Sequence, residues 1–261
     1  MICVDEAHFN FHTLEGRFFA FGELLRRDGY RTRASTAKFS ETALAACRVM
    51  VISNAQPSGD GWNNYPFPTP SAFTDAEISA VRAWVEAGGS LLLIADHMPL
   101  AGAAARLAAA FHVEFHDGFA QLEPETDEPD MFSTAAGTLR DHAITRLEDG
   151  TALTAVRTFT GQAFRAPHAT PLLVFPAGYV QLMPRKAWEF SPQTPRIPVA
   201  GWLQGAVLTQ GKGRAGFFGE AAMFSAQLAG SEKTPVGMNS PGAGQNFRFT
   251  LNLLHWLSQT E

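Results

Sequence analysis

Charge is scarce in this sequence, and there is no excess of basic residues. Asp, Glu, Lys and Arg make up 17% of the 261 residues, and the formal net charge is −5 with a pI near 5.9. A chain without a basic surface lacks the electrostatic footprint of nucleic-acid binding, so we expect no nucleic-acid partner. The low charge content indicates a large buried surface, a homo-oligomer or an exported protein.

Long apolar runs are also missing. No stretch approaches the ~20 apolar residues that a helix needs to cross a bilayer, so we expect a soluble protein without a membrane span. The chain enters a predicted strand directly after Met1, without a basic n-region or an apolar h-region. Two compartments stay open: the protein is cytoplasmic, or it is exported and its leader has been removed.

Cysteine occurs only twice, at Cys3 and Cys47. Both lie in or beside the starts of apolar strands, which favours small buried side chains with inert thiols. A disulfide requires that the two side chains face each other, and the sequence alone does not show this. We predict that neither cysteine is a nucleophile. The sequence also has no HExxH, CxxC, GxSxG or P-loop motif.

What the sequence does contain is a short apolar run that ends abruptly in polar residues. Residues 91–95 (LLLIA) follow Gly88-Gly89 and lead directly into Asp96 and His97. Such a run is typical of a strand that is buried on both faces, as in a parallel sheet covered by helices. Because ligands bind at the carboxyl ends of strands in open α/β sheets, Asp96 and His97 lie where a site is expected.

Strands and helices alternate along the first half of the chain. The residues from Thr74 to Glu77 form a capping box that starts one helix, and Gly88-Gly89 ends it. This alternation predicts a mostly parallel sheet with helices on both faces, in which the first, third and fourth strands are adjacent. The predicted strands cover 2–5, 30–34, 49–52 and 91–95, and helices are expected near 14–25, 40–46, 74–87 and 102–111.

The second half is less regular. An insertion around 117–193 contains the acidic run 123–130, for which we predict a solvated loop. A late β-hairpin is expected from 201–209 and 214–218, followed by a helix at 221–228, a loop at 235–244 and a closing helix at 246–258. No repeat or linker divides the chain, so we predict a single domain over 1–261.

A long aromatic loop precedes the capping box. Residues 57–73 contain four prolines together with Trp62, Tyr65, Phe67 and Phe73. A loop of this length inside a compact domain is more often a lid or binding loop than a spacer. Trp62 is therefore a candidate ligand contact, although the aromatic side chains would serve equally well as a cover for the edge of the core.

Several of these stretches resemble the glutamine-amidotransferase-like superfamily, and within it the uncharacterised and trehalose-utilisation-like branches. The resemblance rests on the first strand that ends in an acid, on LLLIAD, on DHAIT and on GKGRAGFFGE. It implies an α/β, flavodoxin-like three-layer sandwich. Class I amidotransferases carry a cysteine at the strand-to-helix elbow, where this chain has Asp96 and His97. The resemblance therefore implies no cysteine-dependent glutaminase activity.

Polar residues follow several of the predicted strands and should gather at one edge of the sheet. Carboxylates and imidazoles suit acid–base chemistry and equally suit a divalent metal, so a metal cofactor stays open. The alternatives are structural: Asp5 and Asp96 as helix caps, and His8 and His12 as packed, hydrogen-bonded rings. The catalytic candidates are His97, Asp96 and Glu220, and the ligand-binding candidates are Asp5, Glu6, His8, Asn10, Asn54 and Trp62.

Two classes of function follow from this pattern. The first is a hydrolase-like enzyme for a small polar substrate, in which His97 is the acid–base or ligand residue and Asp96 and Asp5 orient or charge it. The second is a noncatalytic domain that binds a small-molecule ligand or mediates assembly, since a fold does not determine a function.

Overall fold

In the part of the chain that the structure describes, a seven-stranded sheet organises the fold and three smaller sheets accompany it. The computed structural model describes residues 1–62, 64–124 and 130–259. The helices are α1 (Phe19–Arg27), α2 (Glu41–Ala45), α3 (Asp75–Glu86), α4 (Leu100–Ala109) and α5 (Asn246–Ser258). The strands are β1 (Ile2–Asp5), β2 (Thr32–Ser35), β3 (Val49–Ser53), β4 (Ser90–Ile94), β5 (Phe119–Leu122), β6 (Met131–Ser133), β7 (Ala155–Arg157), β8 (Thr170–Val174), β9 (Tyr179–Leu182), β10 (Arg196–Pro198), β11 (Leu203–Gln210), β12 (Gly213–Phe218), β13 (Ala226–Ala229) and β14 (Thr234–Gly237).

The order of strands in the large sheet is β2-β1-β3-β4-β12-β11-β8. The pairs from β2 to β12 are parallel, whereas β11 is antiparallel to both of its neighbours. The predicted adjacency of the first, third and fourth strands is confirmed, and so is the hairpin of β11 and β12. Because β12 runs parallel to β4, the residues after both strands emerge at the same edge of the sheet.

The central strands are apolar because helices cover both of their faces. In β3, Val49 and Val51 pack into the core beneath α1 and α5, while Met50 and Ile52 pack into the core beneath α2, α3 and α4. This separation follows from the two-residue period of a strand, which sends successive side chains to opposite faces. The prediction of a mostly parallel sheet with helices on both faces is therefore confirmed.

Local signals in the sequence place α3 and β4 accurately. The Thr74 hydroxyl accepts a hydrogen bond from the Glu77 N–H, and the Glu77 side chain accepts one from the Thr74 N–H, so the predicted capping box is present. At the other end Gly88 has φ of 119°, a conformation that only glycine adopts without strain. The turn after α3 therefore depends on this glycine to send the chain into β4.

Two predictions in the last third of the chain are wrong. The helix expected at 221–228 is a 3-10 turn, Ala222–Phe224, followed by strand β13, and part of the loop expected at 235–244 is strand β14. The carboxylate of Glu220 accepts the N–H groups of Ala222 and Met223 and holds this turn. The chain then extends and pairs as a hairpin instead of continuing in a helix.

The insertion around 117–193 contains much of the remaining strand structure. Its strands β5 and β9 pair with β10 in a three-stranded sheet, and β6 pairs with β7. The solvated loop predicted for 123–130 falls mostly on residues 125–129, which lie outside the described residues. No helix of the described ranges is long and apolar enough to cross a bilayer.

The prediction of free, buried thiols at Cys3 and Cys47 is wrong. The two cysteines form a disulfide with their Cα atoms 5.7 Å apart. Cys3 lies in β1 and Cys47 lies just before β3, and these strands are neighbours in the sheet. The pairing of the two strands brings the side chains together, which is the condition that the sequence could not show.

We expect the Cys3→Ala/Cys47→Ala variant to lose about 2–4 kcal/mol of unfolding free energy. The disulfide closes a loop with a sequence separation of 44 residues, and its loss returns conformational entropy to the unfolded chain. Urea unfolding at equilibrium measures the difference. Reduction should destabilise the wild type by a similar amount and leave the variant unchanged; equal stability of the oxidised wild type and the variant would contradict the prediction.

Candidate functional site

His8 joins the end of β1 to the start of α3 through two carboxylates. Its Nδ1 lies 2.8 Å from Asp5 Oδ2, and its Nε2 lies 2.9 Å from Glu77 Oε1. Asp5 and His8 are fully buried, and the ring packs between Phe39 and Phe73. Burial alone would raise the pKa of Glu77, but hydrogen bonds from Thr74 and His8 outweigh it and lower the pKa to about 2. Both nitrogens of His8 are therefore committed to holding the fold.

Asn10 completes this buried network. Its Nδ2 donates to Asp5 Oδ2 and to the Ser53 carbonyl, and its Oδ1 accepts the N–H of His8. Glu6 turns away from the network, since its Oε1 accepts the N–H of Leu14. The predicted ligand candidates at the end of β1 thus separate into a closed hydrogen-bond network and one carboxylate that fixes the following loop.

A second buried histidine lies close by. His12 Nδ1 is 3.1 Å from the Ser53 hydroxyl, and its ring packs 4.6 Å from that of Phe18. Burial, helped by the charge of Arg17, lowers the pKa of His12 to about 3, so the ring is neutral at physiological pH. Both Ser53 and His12 are shielded from solvent. The pair therefore packs the end of β3 and has no route to a substrate.

Asn54 and Asp96 form a paired contact between the ends of β3 and β4. The Asn54 Nδ2 donates to Asp96 Oδ2 at 2.6 Å, and the Asp96 N–H donates to Asn54 Oδ1 at 2.9 Å. The other oxygen of Asp96 accepts the N–H of Ala221 at 2.6 Å. Desolvation raises the pKa of Asp96 to about 7, against the opposing effect of these hydrogen bonds. Asp96 nevertheless remains partly exposed at this edge of the sheet.

Two further carboxyls, Glu220 and Asp130, also have raised pKa values. Glu220, at the end of β12, is buried, and desolvation followed by the charge of Asp96 raises its pKa well above the usual range. Asp130 accepts a hydrogen bond from the Tyr179 hydroxyl, and burial raises the pKa of this carboxyl to about 6. The charge of Asp130 also contributes to the raised pKa of Glu220. The charges of Asp96 and Asp130 therefore both oppose the ionisation of Glu220.

His97 is held differently from Asp96, although the two are adjacent in sequence. Its Nδ1 lies 2.7 Å from the Met98 carbonyl, which can only accept, so Nδ1 carries the proton. Burial lowers the pKa of His97 to about 4, which keeps the ring neutral and leaves a lone pair on Nε2. No group in the described part of the chain hydrogen-bonds to that Nε2. The predicted orienting contact from Asp96 is absent, since Asp96 bonds to Asn54 and Ala221 instead.

Aromatic rings enclose His97. The ring of Phe119 stacks on it at 4.5 Å, Trp188 meets it edge-on at 4.7 Å, and Trp62 lies 5.6 Å away. Phe119 also contacts Phe190 at 5.1 Å, which extends the aromatic surface outward. Trp188 is 50% exposed, so this surface reaches the solvent. We call this part of the sheet edge, which contains Asp96, His97 and the rings of Trp62, Phe119 and Trp188 around His97, the crevice.

The structure thus brings most of the predicted residues to one edge of the sheet, but only some of them have polar or aromatic groups that a ligand can reach. Asp5, His8 and Asn10 are satisfied by one another, and Glu220 binds backbone N–H groups. Asp96, His97 and Trp62 keep atoms that a ligand can reach. Neither Asp5 nor Asp96 caps a helix, because α1 begins after Phe18 and α4 after Pro99. No group of three His, Cys, Asp or Glu in the described ranges is arranged to hold a metal ion.

Sequence reasoning missed four residues at this edge: Glu77, Phe119, Asp130 and Trp188. Glu77 was identified only as half of a capping box, and nothing local indicates that it reaches a histidine 69 positions away. Phe119 and Trp188 lie in the insertion that the sequence left unassigned. The one usable signal was the concentration of tryptophan and phenylalanine among polar residues near 188–190.

Comparison with known proteins identifies the fold alone. No family model matches the chain, and no curated protein matches it in sequence. Solved structures do: the mmIFT52 N-terminal domain has a TM-score of 0.69 at 12% identity, covering 100% of this chain and 99% of that one. A cytoplasmic protein of Salmonella typhimurium has a TM-score of 0.53 at 14% identity, covering 98% of each chain.

The solved structures also include a ThuA-like protein of Bacteroides uniformis, with a TM-score of 0.49 at 11% identity, covering 98% of this chain and 89% of that one. That score is too low to carry an argument. The two higher matches place the chain among α/β proteins with a large central sheet, and identities this low show nothing about activity.

We expect His8→Phe to cost about 3–5 kcal/mol of unfolding free energy, because it leaves two buried carboxylates without their shared partner. Phenylalanine keeps a ring between Phe39 and Phe73, so the loss reports on the hydrogen bonds rather than on a cavity. The matched control is His255→Phe, which removes a more exposed contact with Asp28 and should cost less than about 1 kcal/mol. Equal losses in chemical denaturation would contradict the prediction.

We also expect Asp96→Asn to gain stability relative to the wild type as pH rises from 5 to 7. The folded wild type holds the Asp96 proton up to a pKa of about 7, whereas the unfolded chain releases it near pH 4. The wild type therefore loses up to about 1.4 kcal/mol per pH unit across this window, and the asparagine does not.

Urea unfolding of both proteins at pH 5, 6 and 7 measures this difference. Asp141→Asn is the control, because a hydrogen bond from Arg146 lowers the pKa of Asp141. Asp141 is therefore ionised in both the folded and the unfolded protein throughout this window. Its difference from the wild type should stay constant. A constant difference for Asp96→Asn as well would show that this carboxyl ionises normally.

Proposed function

We propose that the chain is a hydrolase-like enzyme that acts on a small polar substrate in the crevice. We further propose that its fold is the flavodoxin-like three-layer sandwich of the glutamine-amidotransferase-like superfamily. The shared edge of β1, β3, β4 and β12 supports this assignment. With Asp96 and His97 at the elbow and both cysteines in a disulfide, the proposed chemistry uses no cysteine.

The observation that carries the proposal is Nε2 of His97, which has no hydrogen-bond partner among the described residues. Although His97 is only 5% exposed, Nε2 is not one of its fully buried atoms, so it is an acceptor that a ligand can reach. The hydrogen bond from Nδ1 to the Met98 carbonyl fixes the tautomer, so Nε2 is ready to accept a donor. A hydroxyl or N–H of a bound substrate is the partner that we infer.

Asp96 supplies the proton transfer in this proposal. A catalytic group works best when its pKa lies near the operating pH, and desolvation raises the pKa of Asp96 to about 7. His97 suits proton transfer less well, because burial lowers its pKa to about 4. We therefore assign Asp96 as the general acid–base and His97 as the residue that orients the substrate, which exchanges the roles that the sequence predicted.

The proposed reaction balances with water as the only co-reactant. The carboxylate of Asp96 accepts a proton from a water molecule while the oxygen of that water attacks the electrophilic carbon of the substrate. The bond to the leaving group then breaks, and Asp96 returns the proton to that group. Glu220 stays bound to the N–H groups of Ala222 and Met223 and acts as a positioning residue, because both of its oxygens accept these hydrogen bonds.

A noncatalytic ligand-binding or assembly domain remains the second candidate. The closed network of Asp5, His8, Asn10 and Glu77 favours it, because these groups at the edge are used for internal structure. The match to an N-terminal domain, which is a part of a longer protein, fits the same interpretation. Such a protein would bind its ligand in the crevice without turnover.

Activity on a panel of small esters, amides and glycosides tests the enzyme proposal. We expect Asp96→Asn to lower kcat by about 100-fold or more through the loss of proton transfer. For the wild type, kcat/KM should rise with pH and have its midpoint near 7, since the carboxylate of Asp96 is the active form. His97→Phe keeps the stacking on Phe119 and should mainly raise KM.

Asp141→Asn serves as the control for the removal of one carboxyl and should leave the activity unchanged. Thermal unfolding establishes that each variant is folded at the assay temperature. Turnover that survives Asp96→Asn and His97→Phe unchanged would move the active site elsewhere. Binding of a panel member without turnover would favour the noncatalytic alternative.

A further inference from the structure

We propose that Cys47 is a modification site for small thiols that carry a carboxylate, which open the Cys3–Cys47 disulfide and stay attached to Cys47 as a mixed disulfide. The site is separate from the crevice, because the bridge lies near the amino ends of β1 and β3, whereas the crevice lies at the carboxyl ends of the parallel strands. The inference therefore does not depend on the proposed function. It depends on the accessibility of the two sulfurs, on the charged group beside them and on the cavity that Cys47 lines.

The two halves of the bridge are not equally accessible. Cys3 is 0% exposed, because β1 lies between β2 and β3 and is covered on this face by the core beneath α2, α3 and α4. Cys47 is 7% exposed, since it lies in the connection between α2 and β3. Thiol–disulfide exchange begins with the attack of a thiolate on one sulfur, so access decides which sulfur is attacked. An incoming thiol therefore reaches the bridge at Cys47, and the sulfur of Cys3 is the leaving group.

An arginine lies beside both sulfur atoms. Cys3 pairs with Arg33 in the parallel register of β1 and β2, and residues paired in this way send their side chains to the same face of the sheet. Nη2 of Arg33 lies 3.7 Å from Sγ of Cys3 and 3.8 Å from Sγ of Cys47. A thiolate is favoured beside an arginine, so Arg33 stabilises the negative charge that Cys3 acquires when the bridge opens. The register of the sheet thus places a cation at the leaving group.

A surface cavity of about 610 Å³ gives a thiol room to approach. Cys47 lines it together with Trp84 of α3 and two basic residues, Arg48 and Lys212, and no acidic side chain is among the described residues that line it. Arg48 is held in place by the carbonyls of Gly88 and Ser258, whereas Lys212 is exposed. Small-molecule pockets have volumes of about 300–1,000 Å³, and a wall of one charge raises the local concentration of the opposite charge. The cavity therefore favours a small thiol with an anionic substituent.

The exchange balances with the thiol as the only co-reactant. The thiolate attacks Sγ of Cys47 and forms a new S–S bond, while the bond to Cys3 breaks and its electron pair stays on Sγ of Cys3. The incoming sulfur is oxidised and Cys3 is reduced, so no other electron donor is needed. Attack of the Cys3 thiolate on Cys47 releases the thiol and restores the bridge, which makes the modification reversible.

Other thiols fit the surroundings of Cys47 less well. A cationic thiol would be repelled by Arg48 and Lys212, and a neutral one would gain nothing from their charge. A thiol on the surface of a folded protein would have to bring its sulfur into a cavity to reach a residue that is only 7% exposed. A small acidic thiol meets neither obstacle.

The experiment compares three thiols of similar size that differ in charge: mercaptoacetate, 2-mercaptoethanol and cysteamine. The oxidised full chain is incubated with each one under native conditions, and the appearance of free cysteines is followed by alkylation and mass spectrometry. Each rate is divided by the rate of the same thiol with a small neutral disulfide, which removes differences in thiolate fraction and nucleophilicity. We expect the normalised rates to fall from mercaptoacetate to 2-mercaptoethanol to cysteamine, by at least about threefold per step, and to converge at about 1 M salt.

Variants test the roles of the individual residues. Lys212→Gln should reduce the preference for mercaptoacetate by about threefold, while Lys233→Gln, an exposed lysine on the turn between β13 and β14, should not change it. Arg33→Gln should slow the exchange with all three thiols, because the leaving thiolate loses its cation. Cys3→Ala removes the sulfur that restores the bridge, so Cys47 of this variant should take up mercaptoacetate from its symmetrical disulfide and keep it, as peptide mapping would show.

Three results would overturn the inference. Equal normalised rates for the three thiols would remove the preference for an acidic thiol. Rates that do not depend on the thiol concentration would show that the bridge opens only after the chain unfolds. A bridge that resists all three thiols, or a Cys3→Ala variant that takes up no adduct at Cys47, would remove the site itself. None of these results bears on turnover in the crevice, which the hydrolase assay decides separately.

Discussion

Carboxyl groups buried at the ends of parallel strands are the constraint on which this structure depends. When helices cover both faces of a strand, the last residues of that strand are shielded from water. A carboxylate without a hydrogen-bond partner lowers the stability of the fold at such a position. In β1, β4 and β12 the chain ends the strand, or follows it, with Asp5, Asp96 and Glu220. The loops around them are organised so that each oxygen meets a hydrogen-bond donor.

The hydrogen bonds to these carboxyl groups also connect different helices and strands. Asp5 reaches α3 through His8 and Glu77, so the first strand and third helix share one buried hydrogen-bond relay. Asp96 pairs with Asn54, which fixes the end of β4 to that of β3. Glu220 holds the N–H groups of the turn after β12. Hydrogen bonds that satisfy the acids therefore also set the shape of the sheet edge.

The crevice differs from the rest of the edge because its polar groups are not all satisfied internally. His97 donates through Nδ1 and keeps an unused acceptor, and Asp96 is partly exposed with a pKa raised to about 7 by desolvation. The second sheet of β5, β9 and β10 brings Phe119 alongside them, and the segment after β9 brings Trp188. A ligand gains the most binding free energy at polar groups that the protein's own hydrogen bonds leave accessible.

The sequence by itself determined the layered α/β architecture. The apolar runs of β1, β3 and β4, the capping box at Thr74 and the turn at Gly88 are local signals, and each acts through the nearest few residues. Parallel pairing then followed from the alternation of strands and helices, which also placed Asp5 and Asp96 at one edge. Glu220 joins them only because β12 runs parallel to β4, which the sequence left open.

Only the tertiary structure decided what those residues do. The disulfide between Cys3 and Cys47, the contact of His8 with Glu77 and the aromatic rings around His97 all join residues that are distant in the chain. A carboxylate looks the same in a sequence whether it is paired, capped or free, because its pKa and hydrogen-bond partners are set by packing. Burial therefore separates the fully enclosed acids Asp5 and Glu220 from the partly exposed Asp96.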